Sequence, residues 1–271
     1  MECPKYYTIA KQIGETPLQA LERLRTERSI PKHVPLAYAG RLDPMASGQL
    51  LILVGDECKN QERYHAFDKE YECEVLLGAT SDTHDVLGIV EPGLEIRYEK
   101  LRIQEVLKNL LGKITLPYPH FSAKTVHGKP LHMWTLEGKL DSITIPEKTS
   151  TIYSIQLLDI RTIDATTLYT SVMEKVHSVP PVTDERKALG RDFRRTDVCA
   201  SWKALHDANP LRTYTVLTIR VAASSGTYMR TLSHVIGKQL QSDALALSIH
   251  RTKIGKYFHV PFVGGFFWKT F

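Results

Sequence analysis

The chain has 271 residues, of which 42% are hydrophobic, and its formal net charge at pH 7 is +5. This length allows one large domain or two lobes around a shared cleft, with ample apolar content for a core. The four cysteines lie far apart with no C-x-x-C pair, which argues against a zinc site and a disulfide framework. Without a secretory signal pattern or a membrane-length apolar run, we expect a cytoplasmic protein. The mild basic excess permits RNA binding without demonstrating it.

The chain is predicted to begin with a short strand and a helix. Residues 6–10 fit the strand, and Thr16 followed by Pro17 is typical of a capping residue and the first turn of a helix. Pro31 is expected to end that helix. Its apolar face would carry Leu18, Leu21 and Leu24.

The next stretch places a single carboxylate in a tight turn before a strand. Asp43 is bracketed by Gly40, Pro44 and Gly48, and residues 50–54 form an apolar run typical of a fully buried strand. Glycine permits close backbone approach, and the residue before a proline is biased toward an extended conformation. The turn therefore suits a side chain held at the floor of a cleft, although aspartate is also a common turn residue.

A further strand is predicted at residues 70–77, where apolar and charged residues alternate. Its inward face would be Tyr71, Cys73, Val75 and Leu77. The strand leads into a polar loop, residues 78–88, which carries Asp82 and Asp85. No histidine–carboxylate spacing or EF-hand pattern accompanies them, so we interpret both as residues that order the loop rather than as metal ligands.

Residues 101–111 predict an amphipathic helix that ends at Gly112. Its inward face would be Ile103, Val106, Leu107, Leu110 and Leu111. The following segment, 116–132, mixes basic residues, histidines and aromatics with proline and glycine, so no regular element is expected there. It is the best local candidate for RNA contact, because cations meet phosphates and rings stack on exposed bases. An ordinary surface loop is the alternative.

Two alternating stretches, residues 151–160 and 213–222, predict strands, and Leu217, Ile219 and Val221 would point inward from the second. Between them, residues 174–212 show no clear apolar period and are expected to form a solvent-exposed, partly mobile insertion of unknown role. Its Arg191–Arg195 cluster would suit phosphate contacts. The acidic residues interleaved with it are more typical of a solvated surface.

The last third of the chain contains a strand–turn–helix junction. Residues 224–230 follow the second of these strands, and Arg230 lies in the first turn of the predicted helix, whose N-terminus is a natural anion site. A final strand is predicted at residues 248–252. The apolar face of the helix would be Leu232, Val235, Ile236 and Leu240.

These blocks resemble a known enzyme family. The sequence Gly-Arg-Leu-Asp-Pro-Met-Ala-Ser-Gly at residues 40–48 is similar to the catalytic motif of pseudouridine synthases, and its second half to the TruB type. Residues 69–88, 121–131, 226–230 and 248–252 resemble further TruB-type blocks, in the same order. The chain departs from that pattern at three positions, which are Gln12 in place of proline, Tyr38 in place of histidine, and Arg41, which is more typical of ribosomal-RNA enzymes.

The resemblance implies an α+β fold with a mixed, mainly antiparallel central sheet, flanking helices and a central RNA-binding cleft. It implies a single catalytic domain over residues 1–271, with a thumb-like loop at about 116–138 and the insertion at about 174–212. The PUA domain appended to bacterial TruB-type enzymes is expected to be absent. We also expect a monomer.

The resemblance also implies roles for individual residues. Asp43 would be the catalytic aspartate and Arg230 its ion-pair partner, while Tyr71 would stack on the target base and is a candidate general base. A paired guanidinium would favour the ionised carboxylate that the chemistry requires. The candidate RNA-binding residues are Tyr38, Lys11, Lys59, Phe121, Lys124, Lys129, Ile249 and Arg251.

The implied reaction converts uridine to pseudouridine without net redox change or loss of a group, so no cofactor or metal is expected. The implied substrate is U55 in the TΨC loop of tRNA, extruded into an aromatic pocket. Whether Asp43 attacks C1′ or removes the C2′ proton stays open. Two alternatives also stay open. One is a synthase acting on another RNA, such as ribosomal RNA, and the other is a catalytically silent RNA-binding or RNA-folding module.

Overall fold

The computed structural model describes residues 4–94, 99–182, 192–260 and 264–271. Its strands are β1 Tyr6–Lys11, β2 Leu36–Ala39, β3 Ser47–Val54, β4 Asp68–Leu77, β5 Ala79–Ser81, β6 Val90–Pro92, β7 Gly112–Pro117, β8 Thr125–Val126, β9 Lys129–Pro130, β10 Glu147–Asp164, β11 Thr213–Ala223, β12 Ala244–Val260 and β13 Gly264–Thr270. Its α-helices are α1 Pro17–Glu27, α2 Gln61–His65, α3 Lys100–Asn109, α4 Leu131–Leu136, α5 Ala165–Ser178, α6 Arg195–Ala208 and α7 Met229–Gln239.

Within the described ranges, a nine-stranded sheet forms the centre of the fold. Seven strands run in the order β1-β3-β12-β4-β11-β10-β7, while β2 pairs with β3 and β13 with β12. All of these pairings are antiparallel except a short parallel contact between β3 and β12. The predicted α+β class with a mixed, mainly antiparallel sheet is therefore confirmed.

The main hydrophobic core lies between this sheet and helices α3, α5, α6 and α7. The strand predicted after the Asp43 turn is β3, whose residues from Leu50 to Leu53 are all inaccessible to solvent. Helix α1 covers a smaller cluster with β3, and its predicted start is confirmed by a capping box between Thr16 and Gln19. No helix in the described ranges is both long and apolar enough to cross a membrane.

The predicted apolar faces of two helices each include a leucine that the structure leaves exposed. Leu18 is 57% exposed in the first turn of α1, where the buried face is formed by Ala20, Leu21 and Leu24. Helix α1 also ends at Glu27, before Pro31. Leu111 is 46% exposed because α3 ends at Asn109 and the chain turns into β7.

The prediction that residues 116–132 form no regular element was wrong. Strands β8 and β9 make a two-stranded hairpin there, and helix α4 follows directly. The tight turn between the two short strands accounts for the hairpin, because its two central residues, His127 and Gly128, both have positive φ angles.

The prediction of a solvent-exposed insertion at residues 174–212 was also wrong for the described part. Helix α5 extends to Ser178, and α6 buries Val198, Trp202 and Leu205 in the main core. These three residues follow a helical period, but the polar, arginine-rich sequence around them hides it. Residues 183–191, including Arg191 of the predicted basic cluster, lie outside the described residues.

Candidate active site

A cleft of about 530 Å³ opens beside strands β4 and β12 and the start of helix α7. The Asp43 turn forms one wall, the segment that begins at Phe121 another, and residues 225–230 a third. The structure therefore brings together seven of the predicted site residues, which are Tyr38, Asp43, Tyr71, Phe121, Arg230, Ile249 and Arg251.

The Asp43 turn is held on both sides by buried cations. The Arg251 guanidinium donates to the carbonyl oxygen of Gly40, before Asp43, at 3.0 Å and to that of Gln49, at the start of β3, at 2.7 Å. After Asp43, Lys11 Nζ donates to the carbonyl oxygen of Ala46 at 2.5 Å. Arg251 and Lys11 are each only 1% exposed, so the structure buries both against the turn rather than on a surface open to RNA, although Arg251 belongs to the cleft lining.

Close backbone packing fixes where the turn joins the sheet. Gly48 has a φ of +107°, and a Cβ atom there would lie 2.2 Å from the Arg251 carbonyl oxygen. Only glycine fits at this contact between β3 and β12. The glycine that follows the Asp43 motif is thus required by the approach of two strands.

Arg230 lies in the first turn of α7 and binds Asp43 through two nitrogens. Its Nε is 2.8 Å from Asp43 Oδ2, and its Nη2 is 3.3 Å from Asp43 Oδ1. The remaining donors reach backbone carbonyl oxygens of Thr83 at 3.1 Å and of Phe121 at 3.2 Å. The Arg230 side chain is only 5% exposed, whereas that of Asp43 is 41% exposed toward the cleft.

Asp85 is a second carboxylate beside this guanidinium, with its Oδ2 3.5 Å from Arg230 Nε. It accepts hydrogen bonds from Thr83 Oγ1 and from the Leu87 backbone N–H, so it also orders the loop as predicted. Burial raises the pKa of Asp85 to about 6, although Arg230 opposes that shift. Burial disfavours the Arg230 cation, but Asp43 and Asp85 outweigh it and raise the pKa of Arg230.

Tyr71 and Ile249 line the cleft from neighbouring positions of β4 and β12. Ile249 is 4% exposed, and Tyr71 is partly buried. Burial raises the pKa of the Tyr71 hydroxyl, and the adjacent Arg251 guanidinium only partly offsets this. The phenol is therefore protonated at neutral pH.

Lys69 is a cleft residue to which sequence reasoning gave no role. It precedes Tyr71 by two positions on β4 and so faces the same side of the sheet. Its Nζ donates to the carbonyl oxygens of His65, at 2.8 Å, and Phe67, and the side chain is almost fully buried. Burial lowers the pKa of Lys69 to about 7. Strand alternation from Tyr71 was the signal that could have identified it.

The thumb-like segment contributes Phe121, Ser122 and Ala123 to the lining of the cleft. Phe121 lines the cleft and offers its carbonyl oxygen to Arg230. Lys124 is exposed over the Tyr118 ring, whereas Lys129 Nζ pairs with Glu137 at 2.6 Å. Both lysines lie outside the cleft lining.

Lys59 lies away from the cleft. It belongs to the short 3₁₀ helix Gly55–Asn60, is 80% exposed and pairs with Asp56 at 2.6 Å. The structure does not bring it together with the other predicted site residues.

A family model covers more than half of this chain. Residues 28–175 match the model described as TruB family pseudouridylate synthase, N-terminal domain. The matched range includes Asp43, Lys69, Tyr71 and Asp85 but ends before α6 and Arg230.

Curated relatives are similar along most of the chain. The tRNA pseudouridine synthase B of Caldicellulosiruptor saccharolyticus is 28% identical over 222 residues, which cover 82% of this chain and 58% of that relative. The enzyme of the same name from Syntrophus aciditrophicus is 26% identical over 245 residues, covering 90% of this chain and 60% of the relative. The chain thus spans about three fifths of the length of these two relatives.

Solved structures share the fold. A chain from the crystal structure of a Cbf5-Nop10-Gar1 complex aligns with a TM-score of 0.55 at 18% sequence identity. The alignment covers 92% of this chain and 48% of that chain.

Proposed function

Because the chain belongs to the TruB family of pseudouridylate synthases, we propose that it isomerises uridine to pseudouridine in RNA. The observation that carries the proposal is the Asp43–Arg230 ion pair in a cleft lined by Tyr71 and Ile249. A module that only bound RNA would gain nothing from an accessible carboxylate held by a buried guanidinium, since a carboxylate repels phosphates.

In the proposed reaction, Asp43 is the group that acts on the ribose. The N1–C1′ bond breaks, the uracil ring turns within the pocket, a C5–C1′ bond forms, and the proton on C5 moves to N1. Arg230 keeps Asp43 ionised and orients it, while its other donors are fixed by the Thr83 and Phe121 carbonyl oxygens. A carboxylate fixed in place before the substrate arrives needs little reorganisation during the reaction.

Tyr71 and Ile249 are proposed to hold the extruded base. An aromatic ring stacks on uracil without reading its sequence context, and Ile249 supplies an apolar wall. Because the Tyr71 hydroxyl is protonated at neutral pH, we assign the stacking role to this residue rather than that of general base.

The finer proposal is that the target is U55 in the T-arm of tRNA. It is supported by the relatives named tRNA pseudouridine synthase B. We propose further that the protein acts as a monomer in the cytoplasm. Exposed Lys124 would then contact phosphates of the stem-loop.

The test uses the purified full chain with three transcripts, namely whole tRNA, an isolated T-arm stem-loop and a ribosomal RNA fragment. Pseudouridine is mapped at nucleotide resolution after chemical derivatisation. We expect conversion at U55 in tRNA and in the stem-loop. Conversion confined to the ribosomal fragment would overturn the tRNA target and keep the chemistry, and no conversion of any uridine would overturn the proposed function.

A further inference from the structure

Arg194, at the N-terminal end of helix α6, reaches the loop that carries Asp85. Its Nη1 and Nη2 both donate to the Asp82 carboxylate, the second at 3.1 Å. The Arg194 side chain is only 13% exposed. Its backbone has a φ of +55°, which is uncommon for a residue other than glycine and persists where surrounding contacts hold it.

The same guanidinium also contacts the thumb-like segment. The Arg194 Cζ atom lies 4.2 Å from the centroid of the Phe121 ring, within the range of a cation–π contact. Arg194 therefore joins two segments, residues 82–88 and the region of Phe121, that are separate in sequence.

Both segments hold Arg230 through their backbones. Thr83, next to Asp82, accepts from Arg230 Nη1 at 3.1 Å, and Phe121 accepts from Nη2 at 3.2 Å. Arg194 thus lies one contact away from Thr83 and Phe121, two of the residues that bind the Arg230 guanidinium. Asp43 and Asp85 bind the same guanidinium through their carboxylates.

Helix α6 provides a rigid base for Arg194. Trp202, which is buried, donates from its indole nitrogen to the Val86 carbonyl oxygen at 3.1 Å, and Ser201 accepts from the Val90 backbone N–H at 3.1 Å. Arg195 binds the Val179 carbonyl oxygen at the end of α5 at 2.8 Å. The helix is therefore anchored to the Asp85 loop, to β6 directly after that loop and to α5.

We propose that Arg194 is a positioning residue that fixes the Thr83 and Phe121 carbonyl oxygens and thereby sets Arg230 against Asp43. The proposal rests on the proposed function, and it makes α6 part of the support of the active site. Its effect should fall on the chemical step, because a small displacement of a catalytic group lowers the rate strongly.

A direct contact between Arg194 and RNA phosphates would give a different result. Asp82 already neutralises this guanidinium, and little of the side chain is exposed. A phosphate contact would change affinity and the salt dependence of binding, whereas a positioning role changes the rate at saturating RNA.

The test measures single-turnover conversion and equilibrium binding of the T-arm stem-loop for Arg194→Ala, Arg194→Lys and Asp82→Asn. We expect each rate to fall roughly 10- to 100-fold while the dissociation constant changes by less than about threefold. The Arg194→Lys variant should not regain the wild-type rate, since an ammonium cannot bind Asp82 through two nitrogens and stack on Phe121. The Arg194→Ala/Asp82→Asn double variant should be no slower than the slower single variant.

Lys203→Ala is the matched control, because Lys203 is a basic residue of α6 that is 64% exposed and pairs with Asp207 on the same helix. Thermal unfolding shows which variants are folded, and Arg194→Lys and Asp82→Asn keep the test valid if Arg194→Ala is not. Wild-type rates in these folded variants, or weaker binding with an unchanged rate, would overturn the role of Arg194. A wild-type protein that converts no uridine would instead overturn the proposed function.

Discussion

Arg251 and Arg220 lie on two strands that both pair with β4, yet they face opposite sides of the sheet. On the cleft side, Arg251 is 1% exposed and donates to backbone carbonyl oxygens around the Asp43 turn. On the back, Arg220 is 43% exposed and pairs with Glu72 at 2.7 Å. A buried cation fixes loops because its carbonyl partners have no water to replace it, whereas an exposed ion pair exchanges readily with solvent.

Two lysines, one on each face of the sheet, show the same contrast between a buried and an exposed basic side chain. Lys69 on the cleft side is buried against backbone carbonyl oxygens, whereas Lys253 on the back is 45% exposed and pairs with Glu70 at 3.0 Å. The basic side chains on one face of the sheet thus support the candidate site, and those on the other face form exposed ion pairs.

The largest effect among variants of the cations is expected for Arg230→Lys. An ammonium cannot bind Asp43 through two nitrogens while also reaching the Thr83 and Phe121 carbonyl oxygens, so the single-turnover rate should fall by about 100-fold or more. Arg220→Lys on the back face is the matched control and should keep the wild-type rate. Full activity of Arg230→Lys would contradict the positioning of Asp43 by the guanidinium.

Replacing Tyr71 separates its ring from its hydroxyl. Tyr71→Leu should weaken binding of the target loop roughly 5- to 150-fold, because one base-stacking contact contributes about 1–3 kcal/mol. Tyr71→Phe should retain most of both affinity and rate, since the hydroxyl is protonated at neutral pH. A Phe variant that binds normally but turns over slowly would assign proton transfer to Tyr71 after all.

Lys69 should make stability depend on pH. Its folded-state pKa of about 7 lies below the ordinary value of 10.5, so between these values the unfolded chain binds more protons and stability rises with pH. The free energy of unfolding of the wild type, relative to Lys69→Met, should therefore increase from pH 7 to pH 10, with a slope of at most about 1.4 kcal/mol per pH unit. Parallel urea titrations check this. If the difference in unfolding free energy between the two proteins did not change with pH, Lys69 would have to remain charged beside the His65 and Phe67 carbonyl oxygens.

The smallest effect is expected on the back of the sheet. Arg220→Ala should cost less than about 1 kcal/mol of unfolding free energy and leave the rate unchanged, because the pair with Glu72 is exposed. Arg251→Ala should cost distinctly more, since it leaves buried carbonyl oxygens unpaired. Equal losses of unfolding free energy in the two variants would show that the buried and the exposed arginine contribute alike to stability.

Local signals explain what the sequence predicted well. Gly40, Pro44 and Gly48 mark the Asp43 turn, and the apolar run from Leu50 marks β3, so neither required knowledge of distant residues. The alternation of apolar and charged residues along β4 likewise predicted which face of the strand carries Tyr71. The resemblance to TruB-type enzymes added the pairing of Asp43 with Arg230, which lie 187 positions apart and which no local pattern joins.

The roles that sequence reasoning missed depend on tertiary contacts. Lys11 and Arg251 look like ordinary basic residues until the fold buries them against the Asp43 turn. The pattern of α6 was obscured by polar neighbours, and its burial against the Asp85 loop could not be read from spacing. Arg194 was noticed only as part of the Arg191–Arg195 cluster suited to phosphates, and nothing in the sequence indicated its contacts with Asp82 and Phe121.

Substitution of Asp43 by asparagine is the sharpest test that this carboxylate performs the isomerisation, because the change is nearly isosteric and removes the negative charge. Single-turnover conversion and equilibrium binding should be measured on the same T-arm stem-loop, since affinity is expected to come mainly from phosphate contacts. We expect no detectable pseudouridine in the Asp43→Asn variant and RNA binding that falls far less than activity. Conversion at a rate near that of the wild type would show that Asp43 does not carry the reaction.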